Sequence, residues 1–155
     1  MKFLLLFIVI ISSSCDINHF PTYFSYNSVR ITKIELFEFQ PVNSNGNKWD
    51  DESYPDIYLI FSEENQPLII SPTRIEVEKS NLPIDIFFFT DIISNYFYKD
   101  LELFVYDKDE LTEDDLMGRS GIFNFSNAII NNNYENILYL ENGYLKLKVH
   151  LNWLE

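Results

Sequence analysis

Gly143-Tyr144-Leu145-Lys146-Leu147-Lys148-Val149-His150-Leu151-Asn152-Trp153 is the stretch that decides the fold. From Leu145 to Trp153 every second residue is apolar, and Lys146, Lys148, His150 and Asn152 fill the gaps. Successive side chains of an extended backbone point to opposite faces, so a period of two marks a strand with one face in a core and one in water. The same reading extends backwards. Leu101, Leu103 and Val105 alternate with Glu102 and Phe104, a strand leading into Asp107. Val29 to Phe39 sets Ile31, Ile34, Leu36 and Phe37 among Thr32, Lys33, Glu35 and Glu38, a strand with one irregularity in phase.

Between these lie shorter candidates. Asp56 to Phe61 reads as a buried strand, Leu68 to Ser71 and Arg74 to Val77 as short strands around Pro72, and Asp85 to Thr90 as a Phe-rich strand. Asp91 to Tyr98 reads as a loop with a helical turn. Gly118 to Phe125 is expected to be a strand, followed by a short helix capped by Ser126 that runs through Ile130 to the Asn131-Asn132-Asn133 run. Asn43-Ser44-Asn45-Gly46-Asn47 is a loop by turn chemistry. Seven or eight short strands with frequent turn signals predict an all-β antiparallel sandwich or barrel. No helical segment is long enough for a parallel crossover, and there is no internal repeat.

The composition fits one folded domain behind a leader. The chain has 155 residues, 46% hydrophobic and 17% aromatic, which excludes a disordered chain. Its net charge is −13. That argues against nucleic acid as a partner, because there is no basic patch to exchange for counterions. Anionic lipid headgroups are disfavoured on the same ground unless a bound cation reverses the local field.

The first residues are Met1-Lys2, an apolar run from Phe3 to Ile11, then Ser12-Ser13-Ser14-Cys15. A positive start, a short apolar core and small residues at the end read as a secretion signal, too short for a mature membrane span. Cys15 is the only cysteine, so an internal disulfide is ruled out. The segment resembles the bacterial lipoprotein signal, in which the Cys is acylated and becomes the new N-terminus. It departs from that pattern at Ser12, where the family usually has Leu. The resemblance implies a signal peptide over 1–14, a Cys15 carrying acyl chains such as palmitate with a polar tether over 15–28, and a domain over 29–155. The protein would then be anchored in a bacterial cell envelope, facing the periplasm or the surface. A simple signal peptide that leaves Cys15 free, or removes it, is the alternative.

Two acidic segments carry the remaining signal. One is Trp49-Asp50-Asp51-Glu52-Ser53-Tyr54-Pro55-Asp56-Ile57-Tyr58, and the other is Tyr106-Asp107-Lys108-Asp109-Glu110-Leu111-Thr112-Glu113-Asp114-Asp115-Leu116-Met117-Gly118. Each lies where a predicted strand meets a loop. Brought together at one end of a sandwich, Asp50, Asp56, Asp107, Asp109 and Asp115 would repel unless a cation sat among them. Hard oxygen ligands in that number suit calcium, which takes six to eight oxygens in flexible geometry. An EF-hand does not fit: counting from Asp107, the sixth position is Thr112 rather than Gly and the twelfth is Gly118 rather than Glu. The competing reading is that these carboxylates are merely solvated surface on an acidic protein.

These residues resemble the C2-domain family, the calcium-dependent membrane-binding module of protein kinase C and synaptotagmin. Asp50 and Asp56 have the spacing of its first calcium loop, with Asp56-Ile57-Tyr58 in place of Asp-Pro-Tyr. Asp107, Asp109 and Asp115-Leu116-Met117-Gly118 match its third. The likeness spans about Val29 to Glu155. It implies an eight-stranded antiparallel sandwich with Asp50, Asp56, Asp107, Asp109 and Asp115 as calcium ligands, docking to a membrane, glycan or protein partner. The lysine-rich strand of some members is missing; only Arg74 and Lys79 occupy that stretch.

Catalytic chemistry has no foothold in the sequence. No Gly-x-Ser-x-Gly turn or phosphate-cradling loop occurs. His19 falls in the tether and His150 on the outward face of the last strand, both expected to be surface residues without partners. Trp49 and the aromatic excess read as core. A metal-free interaction lipoprotein remains the alternative to calcium binding.

Overall fold

The computed structural model describes residues 26–155 except Ser44, Asp51, Glu52, Phe88, Phe89, Leu111, Asn131 and Asn132. The signal peptide, Cys15, His19 and most of the tether therefore lie outside the described residues. The alternating C-terminal stretch forms β11 (Leu145–Leu154), which pairs along its length with β1 (Ser28–Glu38). Leu145, Leu147, Val149, Leu151 and Trp153 are all buried, as the period of two requires. On its other edge β11 pairs with β10 (Ile137–Asn142) through a two-residue turn at Gly143-Tyr144, where Gly143 takes φ +60°. Only glycine adopts that backbone region without a Cβ penalty. The far edge of β1 is covered in succession by β5 (Thr90–Ile93) and β4 (Ile84–Ile86), which together fill one strand position.

The second sheet runs β3 (Gln66–Ile70), β2 (Ile57–Glu63), β6 (Leu101–Asp107), β7 (Asp115–Arg119), all antiparallel. Ile57, Leu59 and Phe61 of β2 and Leu101, Leu103 and Val105 of β6 face inward against the first sheet. The architecture is an antiparallel β-sandwich with four strand positions in each sheet. A small pair, β8 (Ile129–Ile130) with β9 (Asn133–Tyr134), lies outside both sheets.

The irregularity expected in β1 is real, and there are two of them. Its register with β11 slips between Ile31 and Lys33 and again between Leu36 and Glu38. The first slip lets Ile31 and Ile34 both face inward although they are three apart. Part of the aromatic excess is core: Phe61, Phe97, Phe123, Phe125 and Trp153 cluster, with Phe97 and Trp153 centroids 5.4 Å apart, edge to face, whereas Phe37, Tyr54, Phe87, Tyr98, Tyr139 and Tyr144 are exposed. This cluster lies toward the Glu63–Leu101 end of the second sheet. The opposite end is closed by Ile57, Asp107 and Asp115 in register, and both acidic segments leave from there.

Several local expectations are corrected. Arg74 to Val77 is not a strand: Arg74 makes one bridge to Ile57, and Glu76 at φ +50° breaks the extended run. Gly118 to Phe125 is not one strand either. β7 begins earlier, at Asp115, and ends at Arg119; Gly121 at φ +75° turns the chain before Phe123 bridges Leu101. Ser126 caps no helix. It lies inside a 3-10 turn over Phe125–Ala128, and its hydroxyl donates back to Asn124 Oδ1. The Phe-rich strand from Asp85 to Thr90 reduces to β4, with Phe88 and Phe89 outside the described residues.

Candidate cation site at one end of the sandwich

Strand alternation sets the key residue. Leu101, Leu103 and Val105 point into the core, so Asp107, two positions on, points there as well and is only 1% exposed. Its Oδ1 accepts the backbone amide of Asp56, 2.8 Å away, and the Lys108 amide donates in turn to the Asp56 carbonyl at 2.8 Å. The ends of the two acidic loops are thereby fastened to each other. A third segment joins through Asp56 Oδ1, which accepts the Glu76 amide at 2.7 Å.

Asp50, Asp56 and Asp109 line one cavity of about 510 Å³, together with Glu76, Lys108 and Ile75. Ile75 is 75% exposed at its edge. Asp107 stands against this cavity through its bond to Asp56, and its Oδ2 is buried with no hydrogen-bond partner. Burial pushes its carboxyl up to about 6; the Asp56 amide pulls the other way, and the charges of Asp50, Asp109 and Asp56 push it further up. Asp115 does not line the cavity. It is exposed and pairs with Asp107 across the β6–β7 ladder, and directly opposed residues share a sheet face.

Among the described residues, no three acidic, histidine or cysteine side chains are drawn together as a metal cage. The donor set nonetheless fits a hard divalent cation. It is all oxygen, it comes from separate loops, and it includes one buried carboxylate oxygen with a free lone pair.

Asp114, which the spacing argument passed over, is a structural member of the site. Its Oδ2 accepts the Tyr58 hydroxyl at 2.6 Å and its Oδ1 accepts the Asp109 amide at 3.1 Å, so it holds the second acidic loop against β2. Burial first, then Asp114, pushes the Tyr58 phenol upward. The doubled Asp114-Asp115 was the only signal for it. Glu76 and Ile75 gave none, because a positive φ in a non-glycine residue leaves no mark in sequence. Trp49 is half-buried against the core, and its Nε1 donates to the Gln40 carbonyl at 2.7 Å, which steadies the first loop.

His150 has a partner after all. Its Nε2 lies 3.0 Å from Glu35 Oε2, and Lys33 and Lys148 approach the same carboxylate at 2.9 and 3.1 Å. His150 and then Lys33 hold the Glu35 carboxyl down at about 2 against the opposing effect of burial, with Lys148 adding to them. This cluster lies on the outer face of the β1–β11 pair, not among the acidic loops.

No protein-family model matches the chain. No curated protein matches it either. Solved structures do. One described as the structure of a C2 domain superposes with TM-score 0.52 at 14% identity, over 84% of this chain and all of that one. The human GIVD cytosolic phospholipase A2, in complex with methyl gamma-linolenyl fluorophosphonate, superposes with TM-score 0.50 at 18% identity, over 84% of this chain. The fold is C2-like. This chain spans 17% of that phospholipase, and at these identities the likeness is one of fold alone.

Within this C2-like sandwich, the residue that departs from Asp-Pro-Tyr has its own structural use. The Ile57 amide donates to the Arg74 carbonyl at 2.8 Å, and the Arg74 amide donates back to the Ile57 carbonyl at 2.7 Å. Proline has no N–H and could not complete this pair. The Arg74 side chain is also engaged: its Nε donates to the Asp85 carbonyl at 2.9 Å.

Proposed function

We propose that this chain is a lipid-anchored protein of a bacterial cell envelope whose C2-like domain binds calcium at its acidic end and docks there. The observation that carries this reading is the Asp107 carboxylate, buried beside Asp50, Asp56 and Asp109 with one oxygen unpartnered. A buried, unpaired charge is costly, and a divalent cation is the partner that offsets it. Asp50, Asp56, Asp107, Asp109 and Asp115 would be its ligands, with backbone carbonyls and water completing six to eight oxygens. The bound charge would neutralise the loops and leave Ile75, exposed at the cavity edge, to meet a membrane or partner surface. Acylated Cys15 would hold the protein at its membrane, and more than one acyl chain makes such an anchor stable. No catalytic role is assigned.

The deciding experiment is calorimetric titration of the full chain with calcium, paired with thermal melts in calcium, magnesium and chelator. Saturable binding at or below millimolar calcium, with a melt that chelator reverses, supports the reading. A chain that takes up no calcium, with a melt indifferent to chelator, is instead a metal-free interaction lipoprotein.

A further inference from the structure

Beside the acidic cavity, and sharing Asp50 and Ser53 with it, is a smaller cavity of about 270 Å³. Its walls are apolar and mostly aromatic: Phe39, Trp49, Tyr54, Pro55 and Val77. Phe39 and Val77 are core residues, 4% and 5% exposed, so the cavity reaches to the hydrophobic interior. Trp49 is fixed by its bond to the Gln40 carbonyl, which leaves the ring as a rigid wall.

Two lysines, Lys48 and Lys79, complete the lining. Among the described residues, five of the ten lysines and arginines are committed to ion pairs: Arg30, Lys33, Lys99, Lys146 and Lys148. Lys48 and Lys79 form none with any described residue, and Lys79 only adds to the field at Glu38. The lining also holds two acids. Glu78 is engaged by the Tyr54 hydroxyl, and Asp50 is shared with the acidic cavity. An apolar recess carrying two uncommitted cations is complementary to a ligand with an apolar body and one negative group.

We propose that this pocket binds a single-chain anionic amphiphile of medium length. Its hydrocarbon would lie against Trp49, Phe39 and Val77, with its carboxylate or phosphate at Lys48 and Lys79. The volume sets the class: at about 270 Å³ the cavity lies just under the roughly 300–1,000 Å³ of drug-sized ligand pockets, which suits one short chain and not a two-chain lipid. The proposal is separate from the calcium reading, and the test in chelator keeps it so.

The test titrates the full chain, in chelator, with octanoate, octyl phosphate, octanol and octyltrimethylammonium, following heat and tryptophan emission. Saturable binding of octanoate or octyl phosphate is expected below a millimolar, with octanol at least tenfold weaker. Lys48→Gln with Lys79→Gln should weaken the anions at least tenfold at an unchanged melting temperature. Lys48→Arg with Lys79→Arg should retain them, which shows that the charge matters rather than a loss of folding. The proposal is overturned if neither anion saturates, if the glutamine pair binds as the parent does, or if the cationic amphiphile binds as tightly as the anions.

Discussion

Asp56 and Asp107 are joined by a hydrogen bond from the backbone amide of the first to Oδ1 of the second, 2.8 Å long. One oxygen of a buried carboxylate thus ties two loops together while the other faces its acidic neighbours without a partner. On the calcium proposal, structural and binding duties would be divided between two atoms of one side chain, and that division can be tested.

Asp107→Asn keeps an oxygen for the Asp56 amide and removes the charge. In chelator the variant should be more stable than the parent by about 1–3 kcal/mol, since a carboxyl raised to about 6 costs the folded state when ionised. In millimolar calcium the order should reverse, because the parent gains about 2.7 kcal/mol at a hundredfold excess over Kd and the variant gains less. Melts under both conditions check this. A variant less stable than the parent in chelator contradicts it.

The pH dependence follows from two carboxyls shifted in opposite directions. Asp107 is raised, so between its unfolded value near 3.8 and about 6 the folded state holds a proton that the unfolded state has released. Stability in chelator should therefore fall as pH rises through that window and level off above it. Glu35 is lowered to about 2, so its contribution is present above its unfolded value near 4.5 and is lost as pH falls toward 2. Glu35→Gln should cost about 1–2 kcal/mol at neutral pH and flatten the acid arm; Asp107→Asn should flatten the arm between 4 and 6. Denaturant melts at pH steps from 2 to 8 resolve the two.

Tyr58→Phe removes the hydroxyl that Asp114 accepts while keeping the ring stacked on Tyr106, whose centroid is 5.5 Å away. The expected loss of stability is about 1 kcal/mol. Because Asp114 also holds the Asp109 amide, calcium affinity should weaken several-fold even though Tyr58 is not a proposed ligand. A double-mutant cycle with Asp114→Asn should show coupling, and strict additivity would argue against the link.

Cys15→Ala should abolish acylation and release the protein from the membrane fraction. Incorporation of labelled palmitate and fractionation read this directly. Continued membrane association of the unacylated variant would leave the tether or the domain itself as the attachment.

What could be read from the sequence was what depends on period. β11 and β6 alternate over their whole lengths, and each buries the residues that alternation selects. β10 escaped because Ile137-Leu138-Tyr139-Leu140 runs apolar without alternation, and only Leu140 is buried. The Arg74 region misled because its hydrophobic composition favours a strand, while Glu76 turns back to serve Asp56. In the candidate site, spacing located Asp50, Asp56 and Asp109 on one cavity but not Asp115, which registers with Asp107 and stays outside the lining. The bridge between Ile57 and Arg74 and the approach of His150 to Glu35 depend on how separate segments of the chain are brought side by side, which no local pattern encodes.

Asp107 ends the inward row begun by Leu101, Leu103 and Val105, and this restricts how such a protein can change. Inserting or deleting one residue within β6 would rotate the acid outward and send Tyr106 inside, spoiling packing and chemistry in one step. The loops can drift only at positions that carry neither a proposed ligand nor Asp114, while the strand must keep its parity throughout. Variation should therefore accumulate between the acidic positions of the tip and be purged from the rail beneath it.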